Sequence, residues 1–268
     1  MRSCRRVLDA LELKKSANAS LIMARYIKNL DDNSESRLEL FDAMKQAARN
    51  AKDLYTHAFN KRHNFLSHIA SSKCFETIEP LAAGLGSSNV LESGLALNPT
   101  YGIPIIAASS IKGVTAHYCS EVFGLTDERY KAPNYKSESE NNKSAGSIYE
   151  LLFGKIYPED EQESGILRFY DAWLLPEYVN NAFIDDVMTP HHSDYYSSKQ
   201  DIPSEFADPV PVKFLTVRGR FEFWLSCEIQ DSGWLEFAFK ITEQALRNYG
   251  IGGKITTGFG KMKPVKSH

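Results

Sequence analysis

The chain has 268 residues, enough for one large domain or two small ones with a real hydrophobic core. Apolar residues make up 43% and charged residues 24%, which argues against wholesale disorder, and no apolar run approaches the roughly 18 residues of a membrane span. The formal net charge of −3 is unlike that of a uniformly basic nucleic-acid binder, so any polyanion site must be local.

Residues 1–72 read as a helical region. Leu38, Phe41, Met44, Ala48, Ala51, Tyr55, Ala58 and Phe59 recur at spacings of three and four, which puts them on one helix face. Asn33 or Ser34 can cap that helix, with Glu35 in its first turn. The remainder, 73–268, reads as a mixed domain. Residues 74–81 are strand-like, glycines and serines at 84–89 break the run, and 90–97 read as a second strand. Ser109 and Ser110 sit where they can cap a helix over about 111–122. Residues 125–149 and 176–208 read as irregular insertions, and 148–153 as a short helical turn. Residues 165–173 form a strand. Two further strands, 212–217 and 220–229, flank Arg218 and Gly219; in the second, Phe221, Phe223 and Leu225 alternate with Glu222, Trp224 and Ser226, which predicts one buried face. An amphipathic helix over 235–249, a glycine-rich loop and a last strand at 261–265 complete an α+β pattern.

Four scattered cysteines (Cys4, Cys74, Cys119, Cys227) without a C-x-x-C pair give neither a disulfide framework nor a zinc site. With no apolar run behind the basic N-terminus, a cytoplasmic protein is expected. Charge is uneven. Residues 121–208 carry seven Lys/Arg against eighteen Asp/Glu, whereas after Glu243 no acid occurs and Arg247, Lys254, Lys261, Lys263 and Lys266 follow. Because screening limits each charge to about 8–10 Å, one basic groove can coexist with an acidic whole.

Gly250, Gly252, Gly253, Gly258 and Gly260 place five glycines in eleven residues. Positive φ and exposed N–H groups make such a loop a candidate anion nest. Lys254 and Lys261 add charge, and Thr256 and Thr257 add hydroxyl donors. A Walker A loop fails, because Asn248 stands where its first glycine should be and Ile255 follows Lys254. A dinucleotide fingerprint fails too, because the loop follows a helix instead of opening one. A clasp on a polyanion remains, beside the plainer alternative of a flexible tight turn.

A second acid-free stretch runs from Ser93 to Ser120. A helix starting near Ser109 and Ser110 offers unpaired N–H groups to phosphate. Lys112 has the wrong charge for that dipole, so it is either incidental or held by an anion. Gly113 lets a backbone or sugar come close.

Together these segments resemble the RAMP superfamily. Gly102-Ile-Pro-Ile-Ile-Ala-Ala-Ser-Ser-Ile-Lys-Gly113 is similar to its Gly-x-Pro-x-Ile-Pro-Gly-Ser-Ser-Leu-Lys-Gly signature, and residues 250–260 to its C-terminal glycine-rich loop. Glu92-Ser-Gly-Leu95, Leu152-Phe-Gly154, Gly165-Ile-Leu-Arg-Phe-Tyr-Asp-Ala172, Asp186-Val-Met-Thr-Pro-His-His192 with Tyr195-Tyr196, and Asp208-Pro-Val-Pro-Val-Lys-Phe-Leu215 resemble one branch, the sixth subunits of type III-B (Cmr) CRISPR effectors. Ala107 and Ala108 stand where Pro-Gly is usual, and Ile255 departs from the usual Lys-Thr. The resemblance covers roughly 75–263. It implies a ferredoxin-like (RRM-like) core and a non-catalytic subunit in antiviral defence. The partners it implies are CRISPR guide RNA near its 3′ end, the backbone subunit and the first Cmr subunit. The RNA contacts it implies are Ser109, Ser110, Lys112, Gly113, Gly252, Gly253, Lys254, Thr256, Thr257, Gly258, Gly260 and Lys261. No cofactor or metal is expected.

The alternative is a metal-independent RAMP endoribonuclease, which needs a general acid or base such as His117, His191 or His192, with Tyr195 or Tyr196 nearby. His191 and His192 are adjacent and cannot easily share one face, and Asp185, Asp186 and Asp194 around them repel phosphate. His63 and His68 lack the four-residue spacing of a helix-face metal pair. A protein-only scaffold is the third reading.

Overall fold

The computed structural model of this chain describes residues 12, 15–26, 34–85, 94–134, 145–155, 162–188, 211–229 and 232–265. Within them a sheet of antiparallel pairs is packed by helices on both faces. Its strands are β1 (Ser71–Thr77), β2 (Ile105–Ile106), β5 (Leu167–Phe169), β6 (Ala172–Leu174), β9 (Arg220–Cys227) and β10 (Met262–Val265), in the order β10-β1-β9-β6-β2, with β5 also on β9. Two ribbons lie outside it: β3 (Gly154–Lys155) with β4 (Glu163–Ser164), and β7 (Phe183–Met188) with β8 (Val212–Val217).

The helices are α1 (Ala19–Arg25), α2 (Ser34–Leu66), α3 (Ala108–Tyr118), α4 (Ser147–Phe153) and α5 (Ser232–Asn248). The stripe expected in the N-terminal region lies on α2: Phe41, Met44, Ala48, Ala51, Tyr55 and Phe59 are all buried. On the sheet side Tyr55 stacks on Trp173 at 5.6 Å and donates its hydroxyl to Leu174 O at 2.6 Å, so α2 packs directly on the sheet. At about 1.5 Å per residue the 33-residue α2 is about 50 Å long. The capping residues expected at 33 and 34 lie outside the described side chains.

β9 corrects the expectation of one buried face. Phe221, Phe223 and Leu225 are buried, but so are Glu222 and Trp224. The odd positions face α3 and α5; Lys73, directly opposite Phe223, lays its ammonium over the Phe239 ring of α5. The even positions face α2. There His63 Nδ1 lies 2.8 Å from Glu222 Oε1, and Trp224 Nε1 donates to Glu222 Oε2 at 2.7 Å. A carboxylate pointing into a covered face is stable only when its oxygens are hydrogen-bonded, and α2 supplies half of that satisfaction.

Two more expectations change. Residues 165–173 break at Tyr170 and Asp171 into β5 and β6. The strands expected at 212–217 and 220–229 form, the second ending at Cys227; β8 pairs with β7 while β9 pairs with β1, β5 and β6. Residues 183–188, expected as irregular, form β7 across from β8. Residues 90–93, the first half of the strand expected at 90–97, lie outside the described residues.

Candidate RNA-contact surface

Ala107 is the N-cap of α3, in extended conformation and without a side-chain cap. Ser109 and Ser110 therefore lie within the first turn instead of capping it. The cap comes from another element: Ala108 N–H donates to Asp171 Oδ1 at 2.7 Å. Asp171 is held from behind, because its carbonyl accepts from Arg62 of α2 at 2.6 Å. Arg62 also stacks over Trp173 at 4.8 Å, and burial lowers its pKa. The start of α3 is thus fixed by the long helix through β6.

Ser109, Ser110, Lys112 and Gly113 are all exposed. The Ser109 N–H and the Lys112 ammonium have no partner among the described residues. A Cβ built on Gly113 would meet nothing within 4 Å, so the fold itself does not require glycine there.

Ser109 and Lys112 form one wall of a cleft of about 710 Å3. Its other walls are Lys155, Glu163 and Ser164 of the β3–β4 ribbon, and Arg168, Phe169 and Tyr170 of and after β5. Lys155 lies directly opposite Glu163, and Arg168 is paired with Glu228. Sequence reasoning did not find this second wall, because nothing local in a two-residue strand announces which helix start it will face.

The glycine loop is not part of that cleft. Gly250, Gly252, Gly258 and Gly260 take positive φ. Two N–H groups close the loop against the chain after β1, Gly253 donating to Ala82 O at 2.8 Å and Gly260 to Pro80 O at 2.9 Å, and Ile251 closes the loop on itself, donating to Gly260 O at 3.0 Å. A Cβ on Gly260 would lie 1.9 Å from Ile251 O, so the buried Gly260 serves the loop's closure.

Lys254 differs from these. Among the described residues it alone has positive φ without being glycine, at 56°. Thr257 holds it there, donating its N–H at 3.0 Å and its hydroxyl at 2.8 Å to Lys254 O. The Lys254, Ile255 and Thr256 N–H groups have no partner among the described residues. Lys254, Thr256 and Thr257 are exposed and Lys261 is half-buried.

The two segments are joined through backbone hydrogen bonds. Gly253 N reaches Ala82 O, Ala96 N reaches Ala83 O, and Ile105 N reaches Ala96 O. These bonds run from the loop through the chain after β1 to the approach to α3.

His117 is exposed on α3 with its ring 5.6 Å from that of Tyr249, and it does not line the cleft. His191, His192, Tyr195 and Tyr196 lie outside the described residues. Among the described residues no group of three His, Cys, Asp or Glu side chains gathers to hold a metal. No described helix is long and apolar enough to cross a membrane.

Residues 74–263 match the RAMP superfamily. The chain is similar to the CRISPR system Cmr subunit Cmr6 of Pyrococcus furiosus, with 27% identity over 250 residues, covering 79% of this chain and 73% of that protein. It is also similar to the Cmr6 subunit of Saccharolobus solfataricus, 27% identical over 135 residues, covering 50% of this chain and 36% of that protein. Its fold is similar to a chain in the cryo-EM structure of the type III-B Cmr-beta bound to cognate target RNA, at a TM-score of 0.58 and 20% identity, covering 92% of this chain and 79% of that one.

Proposed function

Because this chain belongs to the RAMP superfamily, we propose that it is a Cmr6-like, non-catalytic RNA-binding subunit of a type III-B CRISPR effector. Its ferredoxin-like core is supported by the order β10-β1-β9-β5/β6, with α3 and α5 as the crossovers. The guide RNA lies near its 3′ end along Ser109, Ser110, Lys112 and Gly113, and along the loop formed by Gly252, Gly253, Lys254, Thr256, Thr257, Gly258, Gly260 and Lys261. The backbone subunit and the first Cmr subunit are its protein neighbours.

The observation that carries the RNA contact is Lys254. A non-glycine residue in the left-handed region costs about 1–2 kcal/mol, and here it is held by two hydrogen bonds from Thr257 with its ammonium in solvent. Strain retained at an exposed lysine is typical of ligand contacts. Lys112, on a helix start where its charge opposes the dipole, is the second cation. Neither arrangement reads base edges, so binding is through phosphate and independent of guide sequence. Bases are left to pair with target.

The test is affinity purification of the tagged chain from cells expressing the other Cmr subunits. The reading expects co-purified short RNA and Cmr proteins. Recovery of the chain alone, or cleavage of RNA by the pure chain that His117→Ala abolishes, contradicts it.

A further inference from the structure

We infer that the cleft between α3 and β5 receives a single unstacked nucleotide of the bound RNA. Its phosphodiester lies on Ser109 and Lys112, and its base lies against the wall built by Phe153, Phe169 and Tyr170. This rests on the RNA-binding reading above and adds to it a contact with the base, which that reading lacks.

The cleft has two chemically distinct sides. On the α3 side the exposed Ser109 and Lys112 offer a hydroxyl, an N–H without a partner among the described residues, and an ammonium. On the other side Phe153 is buried, Phe169 and Tyr170 are half-buried, and the Phe153 and Phe169 rings lie parallel within 22° at 6.4 Å. Tyr170 is anchored at both ends, its N–H donating to Trp224 O at 3.2 Å and its hydroxyl lying 3.3 Å from Ser226 Oγ. An aromatic wall fixed by the sheet, facing a polar wall fixed by a helix start, suits a ligand with one flat apolar face and one anionic end. At about 710 Å3 the cleft falls in the size range of small-ligand sites.

Charge narrows the ligand. Arg168 is already paired with Glu228, and Lys155 lies across from Glu163. Lys112 is left as the cation in the cleft that no described carboxylate pairs. One such cation matches the single charge of an internal phosphodiester. A terminal phosphate, with up to two charges, would leave one uncompensated beside Glu163. The aromatic wall reads a π-face, which every base has, so the site distinguishes base from no base and not one base from another.

The experiment uses the full chain, an eight-nucleotide single-stranded RNA, and a ribose-phosphate oligomer of the same length without bases. Affinities are measured by fluorescence anisotropy at fixed salt. The wild type should prefer the base-bearing RNA by roughly five-fold or more, the range of one base–aromatic contact. Tyr170→Ala and the cleft-filling Ser164→Trp should lose that preference, and Tyr170→Phe should keep it. If both disruptive variants retain the preference, or the wild type has none while still binding both oligomers, the nucleotide site falls and the phosphate contact stands. If neither oligomer binds at any salt, the RNA-binding reading falls as well. Circular dichroism melts separate loss of fold from loss of the site.

Discussion

The Asp171 carboxylate accepts the Ala108 backbone N–H at 2.7 Å, placing a negative charge at the start of the helix that carries Ser109 and Lys112. It completes the helix end, yet it also opposes any phosphate brought there. Asp171→Asn keeps a hydrogen-bond acceptor and removes the charge. This variant should bind single-stranded RNA about two- to five-fold more tightly at low salt, a gain on the scale of one helix-terminus charge, with little change in stability. Asp171→Ala should lower stability by about 1 kcal/mol, the cost of a lost cap. RNA titrations and urea denaturation of both variants check this.

The glycines separate into those the fold needs and one it does not. Gly260→Ala combines positive φ with a Cβ 1.9 Å from Ile251 O. It should cost about 3 kcal/mol or more, the upper range for single substitutions. Gly258→Ala has positive φ but open space, and should cost about 1–2 kcal/mol. Gly113→Ala, helical and unobstructed, should stabilise by about 0.5–1 kcal/mol while weakening RNA binding, because the added methyl stands in the way of the RNA backbone. Urea midpoints with RNA affinities give the answer.

Glu222 ties α2 to the sheet with both oxygens engaged, by His63 and by Trp224. Glu222→Ala strands the Trp224 N–H under α2 and should cost about 2–3 kcal/mol. His63→Ala leaves one oxygen unpaired and should cost less. An unchanged urea midpoint for Glu222→Ala would show that α2 is not held through this network.

Burial pushes the Cys119 thiol up to about 11 and is the first cause of a similar rise at Cys74. The native state therefore holds these protons after an unfolded chain, with thiols near 8.5, has lost them. Stability is unaffected below the unfolded value. It falls as pH rises toward the folded value, because proton loss then favours the unfolded chain. Denaturation midpoints should decline between about pH 9 and 11, less steeply in Cys119→Ala. At pH 8 iodoacetamide should label Cys119 far more slowly than it labels the unfolded chain, as peptide mass spectrometry would report.

Periodic features were legible in the sequence. The α2 stripe from Phe41 to Phe59, the α5 helix and the positive-φ glycines follow from local spacing and backbone sterics. β7 was not legible. Asp185 and Asp186 interrupt its apolar residues, and its pairing with Phe214 and Leu215 crosses a long stretch of sequence. The second buried face of β9 was hidden for a related reason: Glu222 reads as solvent-facing until His63, more than 150 residues earlier, covers it. At the candidate site the cations and glycines were readable, whereas the Asp171 cap and the β3–β5 wall depend on long-range packing that no local pattern carries.

The most direct test of the central claim is single-stranded RNA binding measured against salt for the wild type, Lys112→Ala and Lys254→Glu. The wild-type affinity should fall as salt rises, by about 0.7 log units per log unit of salt for each phosphate contact. Each variant should bind more weakly with a shallower slope while keeping its thermal melt. Wild-type affinity and slope in both variants would contradict the account.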